Sequence, residues 1–338
     1  MRREFLQLAH TYNPMKHGIG GWYVSEKLDG MRAYWDGGFT RGILTSQIPF
    51  ANTSKDYRRI TPPHSTGLWS RYGKPIAAPD WFLDALPQGI PLDGELYLGR
   101  GTFQTLMSTV KKFDPVDEEW KSVKFMAFDI PSDKFMFSNG RISVPHWKAE
   151  LELTGYAPTG RTKLLNFRKV LAEFDNLPKS AVWDVLKQER LPMQTFEAEA
   201  AIDTLLTEVQ EMGGEGLVLR DPSSVWYPAR SHDLLKVKKW LDSEASVIGY
   251  TWGHGKLEGL MGNLIVKWRG QTFELSGFTD AERVLSDKDG GRDRYGVPGS
   301  VADDATSNLQ FKRGSLVTFK YRELTDAGIP KEARYWRK

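Results

Sequence analysis

Two short aromatic and β-branched runs, Gly21-Trp22-Tyr23-Val24 and Ala33-Tyr34-Trp35, flank a polar stretch, Ser25-Glu26-Lys27-Leu28-Asp29-Gly30-Met31-Arg32. Such runs favour strands and Asp-Gly is a turn signal, so a hairpin is expected, with Lys27 where a strand meets the loop. Further strands are expected at 67–76, ending in a Tyr-Gly-Lys-Pro turn, at 90–98, at 123–130 before Pro131, at 215–220 and at 234–240. Residues 3–10 and 80–86 read as short helices, the second with Asp80 as N-cap. Residues 146–212 read as mostly helical: 167–174 and 198–212 carry apolar residues at three- and four-residue spacing, and Gly213-Gly214 closes the latter. The polar stretch 40–66, broken by Pro49, Pro62 and Pro63, reads as a surface excursion.

Beyond residues 241–244 the texture changes. Short β runs at 247–251, 263–268, 272–278 and 316–321 are separated by glycine-rich turns, the pattern of a small antiparallel barrel or sandwich. The expected fold class is therefore α+β. A domain of mixed sheets with helices over residues 1–241 precedes a small all-β domain over 242–338.

At 338 residues the chain has room for about two cores. A net charge of +3 permits a polyanionic partner without requiring one, so the placement of charge carries more information than its total. Twelve tryptophans suit stacking on bases as well as core packing. With no cysteine, disulfides, cysteine-bound zinc, iron–sulfur clusters and a thiol nucleophile are excluded, and the six histidines show no metal-ligand spacing. No stretch reaches the ~18 apolar residues of a membrane span, and the first residues lack a signal-peptide run. The expectation is a cytoplasmic protein, in the host cytoplasm if viral, with no membrane partner.

Charged residues in strand-like segments need a reason, because inward-facing charges on a sheet require partners. Lys27, Arg32, Arg71, Glu95, Glu215, Lys236 and Lys238 form such a set. Lysines and arginines neutralise phosphate oxygens and carboxylates hold Mg²⁺, so the set suits a polyphosphate with a divalent cation. Lys236 and Lys238, two apart on one strand, share a face. A lysine attacks only as the neutral amine, a form that cationic neighbours favour.

Six segments follow in order: Lys27-Leu28-Asp29-Gly30-Met31-Arg32, Ser70-Arg71-Tyr72-Gly73, Leu92-Asp93-Gly94-Glu95-Leu96, Met126-Ala127-Phe128-Asp129, Glu215-Gly216-Leu217-Val218-Leu219-Arg220 and Leu235-Lys236-Val237-Lys238. Over about 210 residues they resemble motifs I, Ia, III, IIIa, IV and V of the covalent nucleotidyltransferases, and among these the small ATP-dependent DNA ligases of bacteriophages and bacteria. Further on, Gly255-Lys256-Leu257-Glu258-Gly259-Leu260-Met261-Gly262 and Lys320-Tyr321-Arg322-Glu323-Leu324-Thr325 resemble that family's C-terminal OB-fold domain. The resemblance implies an adenylation domain followed by an OB-fold, with ATP and Mg²⁺ as cofactors and nicked double-stranded DNA as partner of a monomer.

It also implies roles. Lys27 would attack the α-phosphorus of ATP and carry AMP. Glu26 would hold adenine through its backbone and Phe128 would stack on the ring. Arg32 and Arg71 would contact ribose and phosphate, Glu95 and Glu215 the ribose and the metal, and Lys236 and Lys238 the α-phosphate. Arg41 competes with Arg71 for its role. The pyrophosphate-orienting motif VI has only a faint counterpart in Arg334-Tyr335-Trp336-Arg337-Lys338. A basic surface including Lys256, Arg292, Arg294, Lys312 and Arg313 would grip DNA. RNA ligation, mRNA-capping-type transfer and non-catalytic nick binding are the alternatives.

Overall fold

The strands on either side of Asp29-Gly30 form in the computed structural model, but not as a hairpin. The structure describes residues 6–48, 50–52, 64–131, 165–238, 240–286, 299–302, 306–308, 310–322, 324–325 and 327–336. The chain divides into two units, Met1–Val237 and Lys238–Lys338.

In the first unit, β1 (Leu8–Thr11), β2 (Tyr23–Lys27), β8 (Glu189–Arg190), β9 (Gly216–Arg220) and β10 (Arg230–Val237) form one sheet in the order β1-β10-β9-β2-β8. A second sheet, in the order β4-β3-β5-β6-β7, holds β3 (Met31–Trp35), β4 (Leu68–Ser70), β5 (Leu92–Tyr97), β6 (Lys124–Asp129) and β7 (Trp183–Val185). The expected hairpin is thus a sheet switch: β2 pairs with β8 and β9, β3 with β4 and β5. Gly30 makes the passage possible, since a Cβ there would run into Leu96 O and lie 2.7 Å from Glu95 Cγ.

Among the described residues, five helices cover the sheets. Phe82 and Leu83 of α1 (Asp80–Asp84), Leu106 of α2 (Phe103–Val110), Trp120 of α3 (Asp117–Trp120) and Val170 of α4 (Phe167–Phe174) share one core with Trp35, Leu92 and Phe125. In α5 (Thr195–Glu211), Ala198, Ile202, Leu206 and Val209 fall on one helical stripe and pack on Val24, Leu217 and Leu235 of the other sheet. Gly213, at φ +79°, takes the left-handed conformation that ends this helix.

Several expected elements differ. Residues 3–10 do not form the expected helix over their described part: from Leu8 the chain is a strand pairing in parallel with β10, and that pairing overrides helix propensity. Pro79, not Asp80, occupies the N-cap of α1; the Asp80 carboxylate pairs with Arg41 instead. The helical reading of 146–212 holds for α4 and α5, fails at β7 and β8, and lies outside the described residues for 146–164. β10 ends at Val237, so Lys238 lies one residue beyond the strand expected to run to residue 240. The polar excursion is partly interior: Thr40 and Ser65 are buried with Asp36, whose carboxylate accepts from Thr40 Oγ1 and from Trp69 Nε1 at 2.9 Å.

The second unit is built on an antiparallel sheet of β11 (Leu241–Trp252), β12 (Met261–Trp268), β13 (Gln271–Leu275), β16 (Leu316–Tyr321) and β17 (Arg334–Tyr335) in the order β13-β12-β11-β16-β17. A small pair, β14 (Leu285–Ser286) with β15 (Ser307–Asn308), accompanies it. Arg269 and Gly270, both at positive φ, close the β12–β13 hairpin as a two-residue turn of the kind that matches strand twist. Inward-facing Val247, Leu264, Val266, Leu275 and Phe319 form the core of this unit, and a bridge between Ser276 and Arg334 closes the sheet into a small barrel.

Burial pushes the Asp36 carboxyl up to about 6, against the pull of its Thr40 and Trp69 hydrogen bonds. A carboxyl raised by folding binds its proton in the folded state before the unfolded state does, so stability falls as pH rises from about 4 to about 6. Asp36→Asn is expected to remove roughly 2–3 kcal/mol of that slope, measured as the difference in urea unfolding free energy between wild type and variant at the two ends of the window.

Candidate active site

The sheet switch puts Lys27 and Arg32 on different sheets facing one cavity of ≈ 240 Å³. The first sheet lines it with Ser25, Lys27, Val218, Leu234 and Lys236, the second with Arg32, Asp93, Glu95 and Phe128; Arg71 joins from the turn after β4. Lys27 closes β2 and stands opposite Gly216 in the β2–β9 ladder. That register brings Glu215, the residue before β9, beside the lysine, and its carboxylate accepts from Lys27 Nζ. The pair is partly open, with side-chain exposures of 29% and 10%. Gly214 lets the chain turn into this position: a Cβ would lie 2.8 Å from Glu26 Oε1 and 2.9 Å from the Val209 carbonyl oxygen.

Arg32 is held in place by a carboxylate. Its Nε donates to Asp93 Oδ1 at 2.7 Å and its Nη2 to Asp93 Oδ2 at 2.6 Å, a two-pronged pairing that fixes the guanidinium plane. Trp226 Nε1 also donates to Asp93 Oδ2, at 2.7 Å, and Arg32 lies 4.5 Å from the centre of the Phe128 ring. Behind this layer the buried Arg220 pairs with Asp129 at 2.8 Å and donates to Gln7 Oε1. Burial pushes Asp129 up to about 6, with Arg220 opposing it.

Glu95 faces Arg32 across the β3–β5 ladder. Burial pushes its carboxyl up to about 7; Arg32 and Lys27 pull it down, while Glu215 and Asp93 push it further up. A carboxyl poised there beside a second carboxylate is set to lose its proton when positive charge enters the cavity.

The sequence-derived set is therefore only partly gathered. Lys27, Glu26, Arg32, Arg71, Glu95, Phe128 and Lys236 all line the cavity, and Glu215 meets Lys27 at its edge. The Glu26 carboxylate is taken up by Arg100, at 2.8 and 2.7 Å. Arg41 binds Asp80 and Asp84 of α1, so of the two competing arginines Arg71 is the one at the cavity. Lys238 opens the second unit. There, Lys256 and Lys312 are exposed, whereas Arg313 donates to the Ile248 carbonyl at 2.6 Å and stacks over Tyr250, as a brace within the barrel. Arg292 and Arg294 lie outside the described residues.

Gln7, Asp93, Asp129, Arg220 and Arg230 line the cavity without having been assigned a place there. Asp93, Asp129 and Arg220 sit inside the quoted motifs, and their charge in apolar strands was the available signal. Gln7, fully buried, lies in the stretch read as a helix and carried none.

Comparison with known proteins comes to the same place. Residues 252–338 match the model of a DNA ligase OB-like domain. A DNA ligase of Haemophilus influenzae is 27% identical over 333 residues, 98% of this chain and 91% of that protein. A solved structure from work on Lig E DNA ligases, which bind DNA with a minimal scaffold, is 28% identical, with a TM-score of 0.62 over 98% of both chains. Another, Pmar-Lig_Pre, shares the fold at 18% identity, with a TM-score of 0.60 over 99% of this chain and 67% of that one. The resemblance read from the motifs is borne out.

Asp93 carries the cation layer. Asp93→Ala strands a largely buried Arg32 and an indole N–H, and is expected to cost about 3 kcal/mol or more in chemical denaturation, while Asp93→Asn, which keeps an acceptor, costs less.

Proposed function

We propose that this chain, an ATP-dependent DNA ligase, seals nicks in duplex DNA through AMP carried on Lys27. The observation that carries the reading is the cavity itself. One lysine, paired with Glu215, opens onto a space lined by the cations Arg32, Arg71 and Lys236 together with Glu95 and Phe128. Lys27 Nζ, as the neutral amine, attacks the α-phosphorus of ATP. The N–P bond forms as the bond to the bridging oxygen breaks, and pyrophosphate leaves. AMP then passes to a DNA 5′-phosphate, the lysine is regenerated, and a 3′-hydroxyl attacks that phosphate to expel AMP. Transition states of this kind respond to positioned cations more than to acid–base groups, which is what the cavity supplies.

Within that scheme Phe128 takes the adenine ring and the Glu26 main chain its edge. Arg32 and Arg71 hold ribose and phosphate, and Lys236 with Lys238 the α-phosphate. Glu95 and Glu215 offer hard oxygen donors suited to Mg²⁺, which would neutralise phosphate charge. Among the described residues no cluster of three or more His, Cys, Asp or Glu side chains could hold a metal by itself, so phosphate oxygens and water would complete the coordination. No helix of the described residues is long and apolar enough to cross a membrane. A monomer acting in the cytoplasm, gripping DNA through Lys256, Lys312 and neighbouring cations, completes the proposal. Phosphate contacts of that kind would make DNA affinity fall with salt.

Nick sealing tests the function. Given ATP and Mg²⁺, the protein is expected to join a singly nicked DNA duplex far faster than the matching nicked RNA, and to fail with NAD in place of ATP. Faster joining of RNA would move the activity to RNA ligation. Lys238→Ala is expected to slow self-adenylation at least tenfold with a Tm within a few degrees of wild type; a collapsed Tm would make Lys238 structural.

A further inference from the structure

Arg322 is a buried arginine directed at a main-chain carbonyl. It follows β16, whose register sets Leu241 opposite Tyr321 and so brings Trp240 opposite Arg322. The side chain is 7% exposed, yet the Glu332 carboxylate stands off at 3.8 Å from Nε. Arg322 Nη1 instead donates to the carbonyl oxygen of Lys238, and its guanidinium lies 3.6 Å from the centre of the Trp240 ring. Lys320 Nζ sits 4.9 Å from the same ring and 3.8 Å from that of Trp336, extending an alternating stack of cations and indoles. Desolvating a guanidinium is costly unless its donors and charge are met. Burial here lowers the affinity of Arg322 for its proton, with Glu332 opposing and Arg334 adding to the effect. What the fold gains is a fixed main chain at Lys238, where there is neither helix nor strand to hold it.

We propose that Arg322 is a positioning residue for nucleotidyl transfer: its grip on the Lys238 carbonyl and the Trp240 ring fixes the root from which the Lys238 side chain projects. The inference rests on the role given to Lys238 above. A lysine whose root wanders delivers its ammonium group with a loss of entropy at each turnover, and a displacement of about 1 Å at such a group can cost up to about a hundredfold in rate. Direct contact with DNA is the competing use of an arginine on this barrel. A guanidinium so covered is poorly placed for it, unlike the exposed Lys256 and Lys312.

The test is a double-mutant cycle on the full-length protein, reading the single-turnover rate of self-adenylation and the half-saturating ATP concentration. Arg322→Met keeps the bulk against Trp240 and removes the donor and the charge. It is expected to slow adenylation at saturating ATP about tenfold, with little change in half-saturation. Arg322→Lys should recover part of the rate. On a Lys238→Ala background, Arg322→Met should cause no further loss. A folded Arg322→Met protein with the wild-type rate, or losses that multiply in the double variant, overturns the inference. If Arg322→Met does not fold, the same cycle is run with Arg322→Lys, whose smaller loss must likewise vanish without Lys238. A Lys238→Ala protein that adenylates at full rate would instead remove the role assigned to Lys238.

Discussion

The antiparallel pairing of β2 with β9 sets Lys27 opposite Gly216 and thereby delivers the Glu215 carboxylate to the lysine amine. A slip of one residue in that ladder would turn the side chains of β2 to the other face of the sheet and take Lys27 out of the cavity. Much of the surrounding structure serves to hold the register. α5 packs its apolar stripe on the outer face of the sheet, Gly213 ends the helix, and Gly214 fits between Val209 and Glu26 so that Glu215 follows at the right place. The sheet switch at Asp29-Gly30 then carries the chain across the cavity, so a stretch of six residues supplies both Lys27 and Arg32 to its lining.

Charge in the cavity is layered. Asp93 and Asp129, both buried, hold Arg32 and Arg220 in fixed positions, while Glu95 and Glu215 sit close enough to repel one another. Burial acts on the carboxylates, lifting Glu95 to about 7 and Asp129 to about 6. An arrangement of this kind tolerates further positive charge well, and it orients cations before a polyphosphate arrives instead of recruiting them afterwards. That pre-organisation is the main way a protein assists phosphoryl-type transfer.

Much of this was legible in the sequence where the signal was local. The motif strands, the apolar stripe of α5 and its glycine terminus follow from spacing alone, and the charges inside apolar strands pointed to the cavity. What was not legible depended on pairing between distant segments. Leu8–Thr11 becomes a strand only because the edge of β10 accepts it, and that pairing brings Gln7 to the cavity. Asp-Gly signals a turn but does not say whether the two strands pair with each other or leave for separate sheets. Arg71 was favoured over Arg41 by the Gly73-Lys74-Pro75-Ile76 that follows it, and the acidic face of α1 agrees by engaging Arg41. The contacts of Arg313 with Tyr250 and the Ile248 carbonyl likewise depend on distant segments.

The central claim is that Lys27 is the atom-level carrier of AMP. It is tested most directly by incubating the protein with ATP labelled at the α-phosphate and Mg²⁺, then mapping the labelled peptide. The account predicts one label per chain, acid-labile as a phosphoramidate, on the peptide containing Lys27, released again by pyrophosphate. Label on another residue, or none under any divalent cation, would contradict it.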